Sequence, residues 1–269
     1  MRPRRLASVV AACAVTTLVL VAVIVASLAL GSRQIGADAV LDALVHGGSS
    51  QDAQVVLALR VPRTLAALMI GGALGLAGSI MQAMTRNPLA DPGVLGINAG
   101  AAFVVVSATA LVGVSTRAMT IGAALVGAGI ASGLVIVLSG RGGAGSHGRL
   151  ALAGIAVSAA LSSLTQAVLA SNQNAFNEFR YWASGSLEGV DVATLVWGGI
   201  VIACGFVVGA ALTSALGVLT LGDEAASGLG VRVGLVRGLG TVAVASLAGG
   251  ATAIGGPLTF VGLAVPLLV

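Results

Sequence analysis

The sequence predicts an all-α membrane protein, a polytopic helical bundle. Of its 269 residues, 57% are hydrophobic and 8% are charged, which leaves too little polar surface to cover a water-soluble globule. Long uncharged runs separate the charged residues, and each run reaches the ~20 residues that cross a bilayer as a helix. A membrane β-barrel would instead show short alternating segments.

Seven uncharged runs are candidate spans, at 6–32, 64–85, 92–116, 118–140, 150–177, 192–222 and 238–269. The first run has 27 residues, more than the ~7–15 of a signal-peptide core, which favours a retained span. Gly255-Gly256-Pro257 divides the last run. We therefore expect seven full spans and the start of an eighth, in a single transmembrane domain over 1–269 that is truncated at its C-terminus.

The basic residues predict the orientation, and they also exclude one class of function. They are thirteen arginines and no lysine. With the N-terminus in the cytoplasm, seven spans place eight arginines inside and five outside, in agreement with the positive-inside rule. The connector at 216–233 is then a cytoplasmic loop. Without lysine the chain cannot form a P-loop, so ATP-driven transport requires a nucleotide site on another chain.

The polar residues give little support to catalysis, metal binding or ion coupling. Cys13 and Cys204 lie in apolar runs, and His46 and His147 lie in Gly/Ser-rich connectors without ligand spacing. We expect no metal site and no catalytic residue. Secondary transporters and channels place ionisable residues at mid-membrane, and the uncharged runs contain none. This absence argues against a secondary transporter or channel, which is the alternative to ATP-driven transport. A membrane-embedded enzyme ranks third, for the same reason.

Pairs of glycines four residues apart predict close helix packing, because each pair presents a smooth helix face. The pairs are Gly71/Gly75, Gly96/Gly100, Gly129/Gly133, Gly205/Gly209 and Gly234/Gly238.

Two segments interrupt the apolar background around the second span. Arg60 and Arg63 lie at its outer end, on the side where the topology disfavours arginine. Their simplest role is to extend, or snorkel, toward lipid phosphates, and a specific function is the other possibility. After this span come Asn87-Pro88 and Asp91-Pro92. Each proline removes a backbone donor and disfavours helix in its predecessor, so we expect a non-helical stretch inside the bundle or beside a cavity.

A third segment, GDEAASGLGV, follows the sixth span. Asp223 and Glu224 favour the N-terminal end of a short helix, and Gly228 or Gly230 can end it. A helix of one or two turns is not stable on its own hydrogen bonds. We therefore expect it to dock, either on a partner protein or on the rest of this chain.

Taken in this order, these segments resemble the FecCD family of ABC-transporter permeases, importers of ferric siderophores, haem and cobalamin. Residues 60–82 are similar to the start of the family's second helix, and NPLADPGVLGINAGA at 87–101 to its best-known signature. GDEAASGLGV at 222–231 resembles the cytoplasmic coupling motif, and GGPLTFVGLAVP at 255–266 the segment leading into the eighth helix. Family members usually continue after the final proline with a histidine, a basic residue and about two more helices.

The resemblance implies a transport permease, not an enzyme, in the bacterial cytoplasmic membrane. Its cargo is expected to be a ferric siderophore, with haem and cobalamin as alternatives. Implied partners are the lipid bilayer, a second permease copy or a paralogue, two cytoplasmic ABC ATPase subunits that carry ATP and Mg, and an extracytoplasmic substrate-binding protein. No nucleic acid is implied, and no cofactor in this chain.

The resemblance also assigns roles to residues. Docking of the binding protein falls to Arg60 and Arg63. ATPase coupling falls to Gly222, Asp223, Glu224, Ala225, Gly228, Leu229 and Gly230. Structural or pathway roles fall to Gln82, Asn87, Pro88, Asp91, Pro92, Gly96, Gly100, Pro257 and Pro266.

Overall fold

A computed structural model describes the backbone of residues 3–31, 33–113, 116–140 and 146–268. Within these ranges every regular element is a helix, so the predicted all-α class is confirmed for the described chain. Some side chains that enter the topology and metal-site predictions lie outside the described residues: Arg2, Arg4, Arg5, Arg141 and His147.

Thirteen α-helices are described, together with one π-helical and one 3-10 turn. In chain order they are α1 (Pro3–Ala29), α2 (Ala37–His46), α3 (Gln51–Gln54), the π-helix Val55–Arg60, α4 (Val61–Thr85), the 3-10 turn Pro92–Leu95, α5 (Ile97–Val112), α6 (Arg117–Ser139), α7 (Ser146–Ser171), α8 (Gln173–Ala183), α9 (Val192–Ala211), α10 (Thr213–Leu219), α11 (Asp223–Gly228), α12 (Val233–Gly255) and α13 (Val261–Leu268).

Six helical segments among the described residues are long and apolar enough to cross a membrane: Val10–Ala29, Gln51–Thr85, Arg117–Ser139, Gly148–Ser171, Val192–Ala211 and Val233–Gly255. The third predicted run, 92–116, gives a shorter helix, α5, of 16 residues. It is short because the run begins with a 3-10 turn and because Gly113, at φ 69°, ends the helix. The exact count of seven spans and the start of an eighth therefore stays a prediction.

Two predicted runs are each divided into two helices. In the run 150–177, Asn172 leaves the helical conformation after α7, and its side chain accepts a hydrogen bond from Ala175 N at 2.9 Å to cap α8. In the run 192–222, Leu212 separates α9 from α10. These breaks were not predicted because the runs were defined by the absence of charge, and the residues at each break are uncharged.

The described chain forms two compact units, Met1–Leu65 with Glu188–Asp191, and Ala66–Leu187 with Val192–Val269. In the first unit, α2, α3 and the π-helix enclose a small apolar cluster of Ile35, Val40, Ala43, Ala53 and Val56. The apolar side chains of α1 are largely exposed, as suits a helix that contacts lipid. The prediction of one domain over 1–269 is not tested by this division.

In the second unit, α5 packs on α6 and α7, and α12 packs on α9 and α6. The crossing of α5 and α6 depends on two glycines, because a Cβ at Gly100 would overlap the carbonyl of Gly127, and one at Gly127 that of Gly100. Close packing is thus confirmed at Gly100. It is wrong within this chain for two other predicted pairs, Gly129/Gly133 and Gly234/Gly238, where a Cβ would meet nothing within 4 Å.

Candidate functional site

The stretch between α4 and α5 breaks the α-helical structure, as predicted, although part of it, Pro92–Leu95, forms a 3-10 turn. Arg86 adopts a left-handed conformation, φ 52°, that ends α4. Asn87 Oδ1 accepts a hydrogen bond from Leu89 N at 2.9 Å, and Asp91 Oδ1 accepts one from Gly93 N at 2.7 Å. These side chains satisfy backbone donors that a helix would have satisfied. Gly96, at φ 71°, then directs the chain into α5.

The segment between α12 and α13 is the second non-helical stretch, and the expected break is confirmed. α12 ends at Gly255, and Gly256 has a φ of 81°. Its neighbour Pro257 cannot donate a backbone hydrogen bond, and Phe260 has a positive φ of 67°. In a bilayer the carbonyls of such a stretch need protein or water partners.

One side-chain amide bonds a carbonyl of this stretch, and a second amide bonds a carbonyl in the first turn of α13. Asn98 on α5 donates Nδ2–H to Leu258 O at 3.2 Å, and Gln82 on α4 donates Nε2–H to Leu263 O at 3.3 Å. Thr252 on α12 donates its hydroxyl to Asn98 Oδ1 at 2.9 Å. We call Gln82, Asn98 and Thr252 the amide clasp. The clasp joins α4, α5 and α12 to the segment that leads into α13.

A small cavity lies beside the amide clasp. It measures about 10 Å³, near the lower limit for one water molecule. Asp91, Asn98 and Thr252 contribute its polar atoms, and Leu74 and Ile97 are among its apolar neighbours. The expectation that the Asp91-Pro92 turn packs beside a cavity is therefore confirmed. The space is too small for a metal chelate.

The segment GDEAASGLGV forms the short helix that its sequence predicts. α11 begins at Asp223 and ends at Gly228. Gly230 has a φ of 84°, its N–H bonds Ser227 O at 3.0 Å, and Val231 N–H bonds Ala226 O at 2.9 Å. This pattern is a Schellman motif. Gly228 is thus the last residue of α11, and Gly230 is the left-handed glycine that stops the helix from continuing.

Two arginines bind the first residue of α11. Arg237 Nη2 lies 3.0 Å and Arg86 Nη2 3.3 Å from the same oxygen, Asp223 Oδ1. Beyond Asp223, α11 presents mostly exposed residues, including Glu224 and Ala225. Two exposed leucines flank the helix, Leu221 at 67% and Leu229 at 66%. One end of α11 is thus held by charge, while an apolar face stays open.

Arg60 and Arg63 have different environments within the first unit. Arg60 ends the π-helix and is 9% exposed. Its guanidinium donates to Leu28 O at 2.7 Å and also to Arg33 O, so it satisfies carbonyls at and just after the end of α1. Arg63, one turn later, is exposed. Arg63 therefore has a free face for an external partner, whereas Arg60 is occupied by backbone.

Sequence reasoning missed several of these residues. The sequence assigned no role to Asn98, Arg86, Arg237 or Thr252. Their partners lie far along the chain: Asn98 and Leu258 are 160 residues apart. The available signal was chemical, since an amide in an uncharged run needs a hydrogen-bond partner.

Clusters of metal-ligating side chains do not occur in the part of the chain that the structure describes. Within it no group of three or more His, Cys, Asp or Glu side chains could hold a metal ion. Cys13 and Cys204 are free thiols on exposed surfaces. The fold and the site define a multi-pass helical membrane protein whose polar groups join helices.

Comparison with known proteins identifies the family. A sequence model of the FecCD transport family matches residues 18–269. The ferric enterobactin transport system permease protein FepD of Escherichia coli (strain K12) is 42% identical over 266 residues, covering 96% of this chain and 78% of that protein. This chain belongs to the FecCD transport family.

Other relatives agree. The Fe(3+)-citrate import system permease protein YfmD of Bacillus subtilis (strain 168) is 35% identical over 246 residues, 90% of this chain and 72% of that protein. The hemin transport system permease protein HmuU of Yersinia pestis is 36% identical over 250 residues, 90% of this chain and 74% of that protein. A solved chain described as an inward-facing metal-chelate type ABC transporter superimposes with a TM-score of 0.80 at 26% identity, covering 94% of this chain and 78% of that one.

Proposed function

We propose that this chain is the membrane-spanning permease subunit of an ATP-binding-cassette importer that carries a ferric siderophore across the bacterial cytoplasmic membrane. The observation that carries the proposal is α11, a six-residue helix between two apolar helices with an exposed apolar flank. Family membership supports it, because relatives named as permeases of iron-chelate import systems align over most of this chain.

The proposed partner at α11 is a cytoplasmic ABC ATPase subunit, two copies of which carry ATP and Mg. α11 is too short to be stable by its own hydrogen bonds, so its Schellman motif and its two arginine contacts hold it ready for a partner. Leu221, Ala225 and Leu229 then supply the apolar contact. Closure of the ATPase pair on ATP would displace α11 and, with it, the helices that it contacts.

This arrangement places the N-terminus, the α4–α5 stretch and α11 in the cytoplasm. The positive-inside count supports that orientation. The span count that we propose is seven, with α5 as a short third span and α13 as the start of an eighth. A second permease copy or a paralogue would complete the pathway.

On the opposite side, an extracytoplasmic binding protein would deliver the chelate. Arg63 is exposed, and its charge could steer the binding protein and set its orientation. Exposed ion pairs have these effects although they contribute little to affinity. Arg60 contributes by holding the end of α1 in place. The choice of a ferric siderophore has support from the relatives named for ferric enterobactin and Fe(3+)-citrate, whereas HmuU is named for hemin. It is tested by identifying the ligand of the binding protein.

A variant pair tests the coupling surface. Leu229→Asp puts a charge on the exposed flank of α11, and Val45→Asp does the same at an exposed residue of α2. Both residues are largely exposed, so both variants should fold. We expect Leu229→Asp to abolish co-purification of the ATPase subunit and Val45→Asp to leave it intact. Equal retention of the ATPase by both variants contradicts the proposal.

A further inference from the structure

The contacts of Asp223 extend beyond α11. One carboxylate oxygen, Asp223 Oδ1, binds guanidinium groups from two different parts of the chain. Arg86 directly follows α4, and Arg237 lies in the second turn of α12. We call these three residues the arginine clamp. It ties the start of α11 to two of the long apolar helices at once.

The backbone around the clamp is shaped to bring the charges together. Arg86 adopts a positive φ of 52°, which L-residues other than Asn and Asp rarely take. Gly222 has a φ of 113°, and a Cβ there would lie 3.4 Å from Arg86 Nη1. That distance is an ordinary van der Waals contact, so it is the positive φ that favours glycine at position 222.

Each arginine of the clamp lies on a path to the amide clasp. Arg86 follows α4, whose Gln82 holds Leu263 O. Arg237 lies on α12, whose Thr252 holds Asn98. A displacement of α11 that is transmitted through the clamp therefore reaches Leu258, just before α13, and Leu263, in its first turn.

Snorkelling would give the same residues a simpler explanation, since arginine at a helix end often extends toward lipid phosphates. The geometry opposes it. Arg237 has a side-chain exposure of 16% and its Nη2 donates to Asp223 at 3.0 Å. A snorkelling side chain would instead extend away from the protein and be largely exposed.

We propose that Arg86 and Arg237 are positioning residues for ATP-driven transport: by binding Asp223 together, they make the motion of α11 move α4 and α12. The inference rests on the proposed function. Asp223 and Arg86 are 37% and 38% exposed, so the ion pairs are partly screened and can adjust as the helices move.

The test measures chelate uptake per ATP hydrolysed by the permease, its ATPase and its binding protein in proteoliposomes. The variants are Arg86→Gln, Arg237→Gln and Asp223→Asn, with Arg232→Gln as the matched control, because Arg232 is an exposed arginine at the start of α12. We expect each clamp variant to lower uptake per ATP by about two- to fivefold, the range for breaking a partly exposed ion pair. Arg232→Gln should leave the ratio unchanged.

A combination of variants separates this role from simple stabilisation. In an Asp223→Asn background, Arg86→Gln and Arg237→Gln have lost their shared partner, so neither should lower the ratio further. Arg237→Lys keeps the positive charge. It should therefore recover at least half of the uptake per ATP that Arg237→Gln loses. An unchanged ratio in Asp223→Asn, or losses that multiply in the double variants, overturns the inference.

Failure of the proposed function gives a different result. If the wild-type chain neither retains nor stimulates the ATPase, the function itself is wrong. If the wild type couples but a clamp variant fails to assemble with the ATPase, Arg237→Lys decides. An Arg237→Lys protein that couples transport to ATP hydrolysis supports the clamp. An Arg237→Lys protein that assembles as well as the wild type but does not couple overturns it.

Discussion

Replacing Asn98 by leucine removes the centre of the amide clasp with little change in side-chain size. The substitution leaves the Leu258 carbonyl without the amide donor and the Thr252 hydroxyl without its acceptor. Hydrogen bonds between membrane helices average about 0.6 kcal/mol each, and a buried polar group left unpaired costs about 1–3 kcal/mol. Because hydrogen bonds between membrane helices are weak, we take the lower end of this range, and two groups left unpaired then give an expected loss of about 2 kcal/mol.

The assay is the free energy of unfolding in mixed detergent micelles, followed by tryptophan fluorescence. Thr252→Val removes one of the two bonds and should cost about 1 kcal/mol. The double variant should cost little more than Asn98→Leu alone, because both residues share one network. Asn177→Leu, at an exposed residue of α8, is the control. An Asn98→Leu protein within about 0.5 kcal/mol of the wild type refutes the reasoning, since that is the range of neutral surface substitutions.

Three further predictions follow from the fold. Arg63→Glu should weaken binding-protein docking at low salt and have less effect at high salt, measured by surface plasmon resonance; Arg60→Gln should lower thermal stability instead, and unchanged docking in Arg63→Glu leaves a lipid anchor as its role. Gly100→Val should destabilise the α5–α6 crossing by about 1–3 kcal/mol or prevent expression, whereas Gly129→Val should be tolerated; equal effects contradict the crossing. The purified chain should hydrolyse no ATP by itself, and hydrolysis above a no-protein blank contradicts that expectation.

Local signals in the sequence predicted most of the helices. A bilayer leaves the backbone of an apolar run no other way to satisfy its hydrogen bonds, so runs such as 118–140 became helices close to the expected bounds. The ends of α11 were also predictable, because acidic residues in a first helical turn and a glycine just after the last turn are local sequence signals. Breaks inside uncharged runs, such as the one at Asn172, were missed because the runs were defined by the absence of charge, and the residues around Asn172 are polar but uncharged.

Contacts between helices could not be predicted in the same way. When nearly every face of a helix is apolar, hydropathy does not distinguish the face that packs on protein from the face that contacts lipid. Gly100 and Gly129 each belong to a pair of glycines four residues apart. A Cβ added at Gly100 would overlap α6, whereas one added at Gly129 would meet nothing within 4 Å. The clamp between Arg86 and Asp223 joins residues 137 positions apart. Its members were visible in the sequence, but their pairing required the structure.

The central claim, that a separate ATPase drives transport through this chain, is tested most directly by the energy source of uptake. Proteoliposomes would contain the permease, the ATPase and luminal ATP, with the binding protein and labelled ferric siderophore outside. We predict uptake that requires hydrolysable ATP and is unchanged when ionophores collapse proton and sodium gradients. Uptake driven by an imposed ion gradient, without ATP or without the ATPase, would contradict the account.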